Sequence, residues 1–87
     1  LSTLGFHMEI LHPGAYSCPY HFHHKEEELF VAFKGKAMVR QDGEFYEIKA
    51  GELVVFRTGS AHQFFNHTDQ PFLFLALSSK ASDEVCE

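Results

Sequence analysis

Turn-forming residues break this chain at such short intervals that little room is left for a helix. The breaks fall at His12-Pro13-Gly14, Lys34-Gly35-Lys36, Asp42-Gly43, Lys49-Ala50-Gly51-Glu52, Arg57-Thr58-Gly59-Ser60 and the polar run from Asn66 to Pro71. Glycine and proline at such places supply backbone angles that strands and helices avoid. Between the breaks lie short stretches that predict strands over 6–11, 20–24, 28–33, 37–41, 44–48, 53–56, 62–65 and 72–77. The first alternates Phe6, Met8 and Ile10 with His7, Glu9 and Leu11, the period of a half-buried strand. Asp42-Gly43 is the strongest hairpin signal, because a tight two-residue turn needs positive φ at both central positions. No segment carries a helical period, so an all-β sandwich or barrel is predicted. The stretches 29–33, 53–56 and 72–77 are apolar on both faces. One face would fill the interior, and the other would pack against a second sheet or a partner subunit. A homodimer is therefore expected.

With 87 residues the chain has room for one domain, expected over 1–77 with a polar tail at 78–87. Hydrophobic residues make up 45% and charged residues 22%, a globular rather than a disordered balance. A chain this short buries only about 60% of its extended surface, so a bound metal or a second copy would supplement a marginal core. The formal net charge is −5 and the basic residues are scattered, which argues against nucleic-acid binding by this segment. No apolar run approaches the roughly 20 residues of a membrane span, and no secretory signal is visible. Cys18 and Cys86 cannot build a disulfide framework. They are expected to be free thiols in a reducing, cytoplasmic setting, a single bridge between them being the alternative. The start at Leu1 allows the chain to be a fragment of a longer protein.

Two histidines one residue apart, His21 and His23, precede Glu28, and His62 follows much later. Three imidazoles and a carboxylate are a competent donor set for a divalent transition metal. In a strand, His21 and His23 would share a face while Phe22 takes the other. Glu28 lies an odd number of positions from His23, so a continuous strand would send it to the wrong side. The polar His24-Lys25-Glu26-Glu27 can turn the chain and return Glu28 from a neighbouring strand. Phe30 and Phe64 lie two residues from Glu28 and His62 and so share their faces, where they would line and dry a pocket. Asn66, on the same face as His62, would hold the turn by bonding backbone. His24 is expected in solvent, His7 out of register with the apolar face of its strand, and His12 and His67 in turns.

From Gly14 the chain reads GAYSCPYHFHHKEEELFVAFKG, and from Gly51 it reads GELVVFRTGSAHQFFN. These resemble the two signature motifs of the cupin superfamily. In the first, the His-x-His pair, the glutamate and the closing glycine fall on His21, His23, Glu28 and Gly35. In the second, opening glycine, turn glycine, histidine and asparagine fall on Gly51, Gly59, His62 and Asn66. The run from Gly14 to His21 is one residue longer than the usual spacing, and Arg57 stands where proline is common. Glu28 is chosen because six residues separate it from Gly35, with Glu27 as the alternative.

The resemblance implies a small jelly-roll β-barrel, often homodimeric, with one divalent metal held by His21, His23, Glu28 and His62. Manganese, iron, cobalt or nickel would keep positions open for water, substrate or dioxygen, whereas zinc could close on the four ligands. The resemblance admits dioxygenases, isomerases, epimerases and decarboxylases. A small metalloenzyme acting on a small anionic compound is the first expectation. A non-catalytic ligand-binding or sensory barrel, alone or as part of a larger regulatory protein, is the second; a storage or scaffold role is disfavoured by size. Arg40, Gln41, Tyr46 and Arg57 are candidates for contacting a small-molecule ligand, with their facing open.

Overall fold

The computed structural model describes residues 5–17, 21–22, 27–57 and 59–78. Their strands are β1 (Gly5–Leu11), β2 (His21–Phe22), β3 (Glu28–Lys34), β4 (Lys36–Gln41), β5 (Glu44–Lys49), β6 (Leu53–Phe56), β7 (Ala61–Phe65) and β8 (Phe72–Ser78). They form two four-stranded sheets, ordered β1-β8-β3-β6 and β2-β7-β4-β5, and every pairing is antiparallel. This is the all-β jelly roll that the turn pattern and the motif resemblance imply.

The turns do what their residues permit. Asp42 and Gly43 have φ of 49° and 86°, the positive pair that a two-residue hairpin between β4 and β5 requires. Gly35 has φ of 84°, and a β-carbon there would run into the carbonyl oxygen of Pro71. Only glycine satisfies both demands. Just before it, a bulge between Ala32 and Lys34 shifts the register of β3 on β8.

The core lies between the sheets. Leu11, Phe30, Ala32, Phe56, Phe72, Phe74 and Ala76 come from one, and Ala37, Val39, Ile48 and Phe64 from the other. Phe64 carries the junction: its ring centroid is 4.9 Å from Phe30, 5.1 Å from Phe74 and 6.1 Å from Phe72. Each such aromatic pair contributes about 0.5–1.5 kcal/mol beyond its buried area.

The alternation of β1 is present, but its apolar set points outward. Phe6, Met8 and Ile10 are 70%, 47% and 56% exposed, while Leu11 from the alternate set is buried. Register explains the choice. Phe6, Met8 and Ile10 stand opposite Leu77, Leu75 and Leu73, and Leu77 and Leu75 stand opposite Leu29 and Val31. Those two in turn oppose Val55 and Leu53. Opposed residues share a face, so the outer face of this sheet is apolar across all of its strands.

Asn66 fastens the end of the barrel away from β6. Fully buried, it donates through Nδ2 to the carbonyls of Leu11 (2.8 Å) and Gln70 (2.7 Å). Its Oδ1 accepts from Thr68 N (2.9 Å) and Thr68 Oγ1 (2.7 Å). Its backbone bonds Gly14 and Ala15 as well. The side chain therefore ties β1, β7 and the loop before β8 into one unit, the backbone-capping role expected of it. Replacing a fully satisfied buried amide strands several partners at once, each costing about 1–3 kcal/mol when left unpaired. Asn66→Ala should lower unfolding stability by about 2–4 kcal/mol, read from the midpoint of urea denaturation with an unchanged slope; a loss below about 0.5 kcal/mol would show the pin to be dispensable.

Candidate functional site

Glu28 opens β3 in one sheet and His62 lies within β7 of the other. Their side chains meet across the interior, Glu28 Oε1 standing 3.0 Å from His62 Nε2, with 17% and 7% of each side chain exposed. Glu28 thus stands in the sheet opposite His62 and faces it across the interior. Glu27 goes elsewhere: it is exposed and lies 3.7 Å from the still more exposed Arg57, a contact that solvent leaves nearly without energetic weight.

Phe56 sets the imidazole. Its ring stacks on His62 at 3.9 Å between centroids and 8° between planes, and it stands opposite Glu28 in the β3–β6 register. Phe30 meets the same imidazole edge-on at 5.9 Å. Phe64 sits a layer deeper, packed against Phe30, Phe56, Phe72 and Phe74. The imidazole therefore has little freedom to swing, and its Nε2 is held toward Glu28. No sequence period announced Phe56; its role follows from the pairing of β3 with β6.

The neighbours of His62 in its own sheet are fixed by register. On one side β2 places His21 opposite His62, and on the other β4 places Gln41 opposite it. Only the backbone of His21 is described, and His23 lies outside the described residues, as do Cys18 and Cys86. Among the described residues no group of three histidine, cysteine or acidic side chains is brought together as a metal cluster. The described pair nevertheless fits a shared ion. Two donors, each about 2.1 Å from a cation and at right angles around it, are about 3 Å apart.

The open question of facing is settled for the ligand-contact candidates. Arg40 turns outward, its guanidinium 5.7 Å from the Phe45 ring centroid, and Arg57 is in solvent. Gln41 and Tyr46 turn inward. Tyr46 packs against the core cluster and its hydroxyl donates to Gln41 Oε1 at 2.7 Å. Burial pushes the Tyr46 phenol above its ordinary value of 10.0, so it stays a neutral donor at physiological pH. Asp42 has a second task beyond its turn: its carboxylate accepts from Ala61 N at 3.0 Å and Ser60 Oγ at 3.4 Å. That contact anchors the residue before His62. His67 pairs with Glu47 at 2.9 Å on the surface, remote from this site in the sheet register.

Comparison with known proteins gives a consistent neighbourhood. The cupin domain family matches residues 7–78. A glucose-6-phosphate isomerase of Thermococcus litoralis is 36% identical, over 85% of this chain and 45% of that protein. Among solved structures, a sugar phosphate isomerase from a cupin superfamily, from Silicibacter pomeroyi, superposes with a TM-score of 0.86 at 29% identity, over 97% of this chain and 59% of that one. A Thermotoga maritima protein described as a predicted oxalate decarboxylase gives 0.82 at 26% identity, over 87% and 65%. The chain spans about half the length of the curated relative it matches.

Because the folded state favours the neutral phenol of Tyr46, its contribution to stability is complete below the ordinary phenol value and declines as pH rises through the raised one. Phenolate absorbance during an alkaline titration should contain a late component that Tyr46→Phe removes; a wild-type curve without it would contradict the burial of this hydroxyl.

Proposed function

Since the chain belongs to the cupin family, we propose that it holds one divalent metal through His21, His23, Glu28 and His62 and serves as a small metalloenzyme. The observation that carries this reading is the 3.0 Å approach of Glu28 Oε1 to His62 Nε2 from opposite sheets, with His21 opposite His62 in register. When bound, the ion would supply Lewis acidity toward an oxygen-bearing substrate, and with a redox-active metal the activation of dioxygen. The chain's own residues do the rest. Glu28 brings the negative charge that favours a cation, Phe56 holds the imidazole plane, and Phe30 keeps the inner side of the site dry. Neutral imidazoles with one carboxylate leave a divalent centre net positive, which suits small anionic oxygen donors.

The named relatives point the same way, since their names speak of sugar phosphates and oxalate. A small anionic, oxygen-rich compound is therefore the proposed substrate, and isomerisation the favoured reaction class. The second reading, a binding or sensory domain without turnover, is favoured by one observation. Among the described residues, the inward polar ones beside His62 in its own sheet are Gln41 and its partner Tyr46, an amide and a neutral phenol, neither of which is a base at neutral pH. Metal-loaded protein that binds a sugar phosphate or oxalate without product formation would select that reading.

We further propose that the apolar outer face of the β1-β8-β3-β6 sheet meets a second copy of the chain. Contiguous apolar surface on this scale, with Phe6, Ile10 and Leu53 all more than half exposed, is uncommon on monomers.

Dialysed protein reconstituted with manganese, iron, nickel or zinc should retain about one ion per chain. His62→Ala should abolish that uptake, and Glu28→Gln should weaken it by more than the roughly 10–100-fold typical of residues that merely support a ligand. Metal at a hundred times its dissociation constant should raise stability by about 2.7 kcal/mol, reversed by chelation. Unchanged uptake in His62→Ala would end the metal reading. Light scattering should report a dimer that Leu75→Glu converts to monomer; a wild-type monomer at high micromolar concentration would remove the interface.

A further inference from the structure

Asp42 does more in its hairpin than a turn asks. Among the described residues it is the one non-glycine with positive φ, at 49°, a conformation that glycine adopts with less strain. What glycine lacks is the carboxylate, and that group is engaged. The register of β4 on β7 runs from Met38 opposite Phe65 to Gln41 opposite His62, so the next pair in line is Asp42 with Ala61. A bonded pair in an antiparallel ladder exchanges two main-chain hydrogen bonds. The first is made in the ordinary way, Asp42 N donating to the Ala61 carbonyl at 2.9 Å. The second is made by a side chain: Ala61 N donates to Asp42 Oδ1 at 3.0 Å. A carboxylate oxygen thus stands in for the main-chain carbonyl where the chain leaves β4 for its turn. Asp42 Oδ2 extends the contact to Ser60 Oγ at 3.4 Å.

This last rung lies beside the candidate site. Positions along an antiparallel pair alternate between bonded rungs and the gaps between them. Since Asp42 bonds Ala61, His62 falls between rungs, and its backbone is held to β4 through those on either side, at Ala61 and Gln63. Its other neighbour, β2, is only two residues long. Ala61 opens β7, so losing its rung would fray the strand from the end that carries His62. That end also receives the crossing of residues 57–60 from β6 in the other sheet. The rings of Phe56 and His62, stacked at 3.9 Å and 8°, therefore hang near the two ends of one short connection, and Asp42 fixes its far end. Both donors belong to buried residues, Ser60 and Ala61, where an N–H without its acceptor is disfavoured.

We infer that Asp42 is a positioning residue for His62: by replacing a main-chain acceptor it fixes the start of β7, keeps the imidazole flat on Phe56 and so sets the affinity of the site for a divalent cation. The part concerning the cation rests on the proposed metal site; the part concerning the imidazole does not.

Proton resonance of the metal-free protein and a manganese titration followed by spin resonance test the two parts separately. In the wild type the His62 ring protons lie over the face of Phe56 and should be shifted upfield by its ring current. Asp42→Gly keeps a residue that suits the turn and removes the acceptor. It should lose most of that upfield shift and raise the manganese dissociation constant about tenfold, the low end for residues that support a ligand. Asp42→Asn keeps both the turn and an Oδ1 acceptor, and should hold both readings within twofold of wild type. A merely structural role would lower the urea midpoint of Asp42→Gly without moving either reading. An unchanged His62 shift and manganese affinity in Asp42→Gly would overturn the inference, whatever the loss of stability. Asp42→Asn as impaired as Asp42→Gly would overturn the acceptor role. Wild-type protein that takes up no manganese, with the His62 shift still lost in Asp42→Gly, would overturn the metal reading and leave the positioning of His62 by Asp42 standing.

Discussion

The contact of Phe64 with the aromatic rings of the facing sheet is the constraint on which the rest of the molecule depends. Phe64 belongs to β7, and Phe30, Phe72 and Phe74 belong to β3 and β8. Their interdigitation sets the distance and rotation between the sheets. Glu28 and His62 are each two residues from a member of this cluster, on the same faces, so their 3.0 Å approach is inherited from core packing. Truncating a phenylalanine in such a core costs about 3–5 kcal/mol, and truncating Phe64 would also disturb the approach of Glu28 to His62, which its packing helps to set.

Aromatic residues serve different purposes at different depths. Phe72 and Phe74 are buried structural fill, Phe56 is both fill and the plate on which an imidazole lies flat, and Phe30 bridges the two roles. Parallel stacking of this kind opposes rotation of the imidazole out of its plane. In the adjoining strand Gln41 stands opposite His62 and accepts from the Tyr46 hydroxyl.

The outer surfaces of the two sheets are equally unlike. The sheet that contains β4 and β5 carries Arg40, Glu47 and Lys49 on its outside among apolar neighbours. The other carries a continuous aliphatic and aromatic layer from β1 to β6. A small domain gains proportionately more than a large one from covering such a layer, because its own interior is limited. The same surface explains why β1 reads as amphipathic in sequence yet, among its residues of described burial, buries only Leu11.

Much of this was legible in the residues. Turn chemistry at Asp42-Gly43 and Gly35, the period of the short strands, and the ligand types at His21, His23, Glu28 and His62 are local properties, so the all-β class and the candidate donors could be read directly. The backbone-bonding task of Asn66 was legible for the same reason: a short amide beside a turn has few other uses. What a single strand does not encode is which strand lies beside it. Register across β4 and β7 made Gln41 a neighbour of His62, register across β3 and β6 brought Phe56 over the imidazole, and pairing with β8 turned Phe6, Met8 and Ile10 outward. Alternation along the chain states that two faces differ; only the closing of one sheet upon the other, driven by burial of the phenylalanine core, decides which of them is inside.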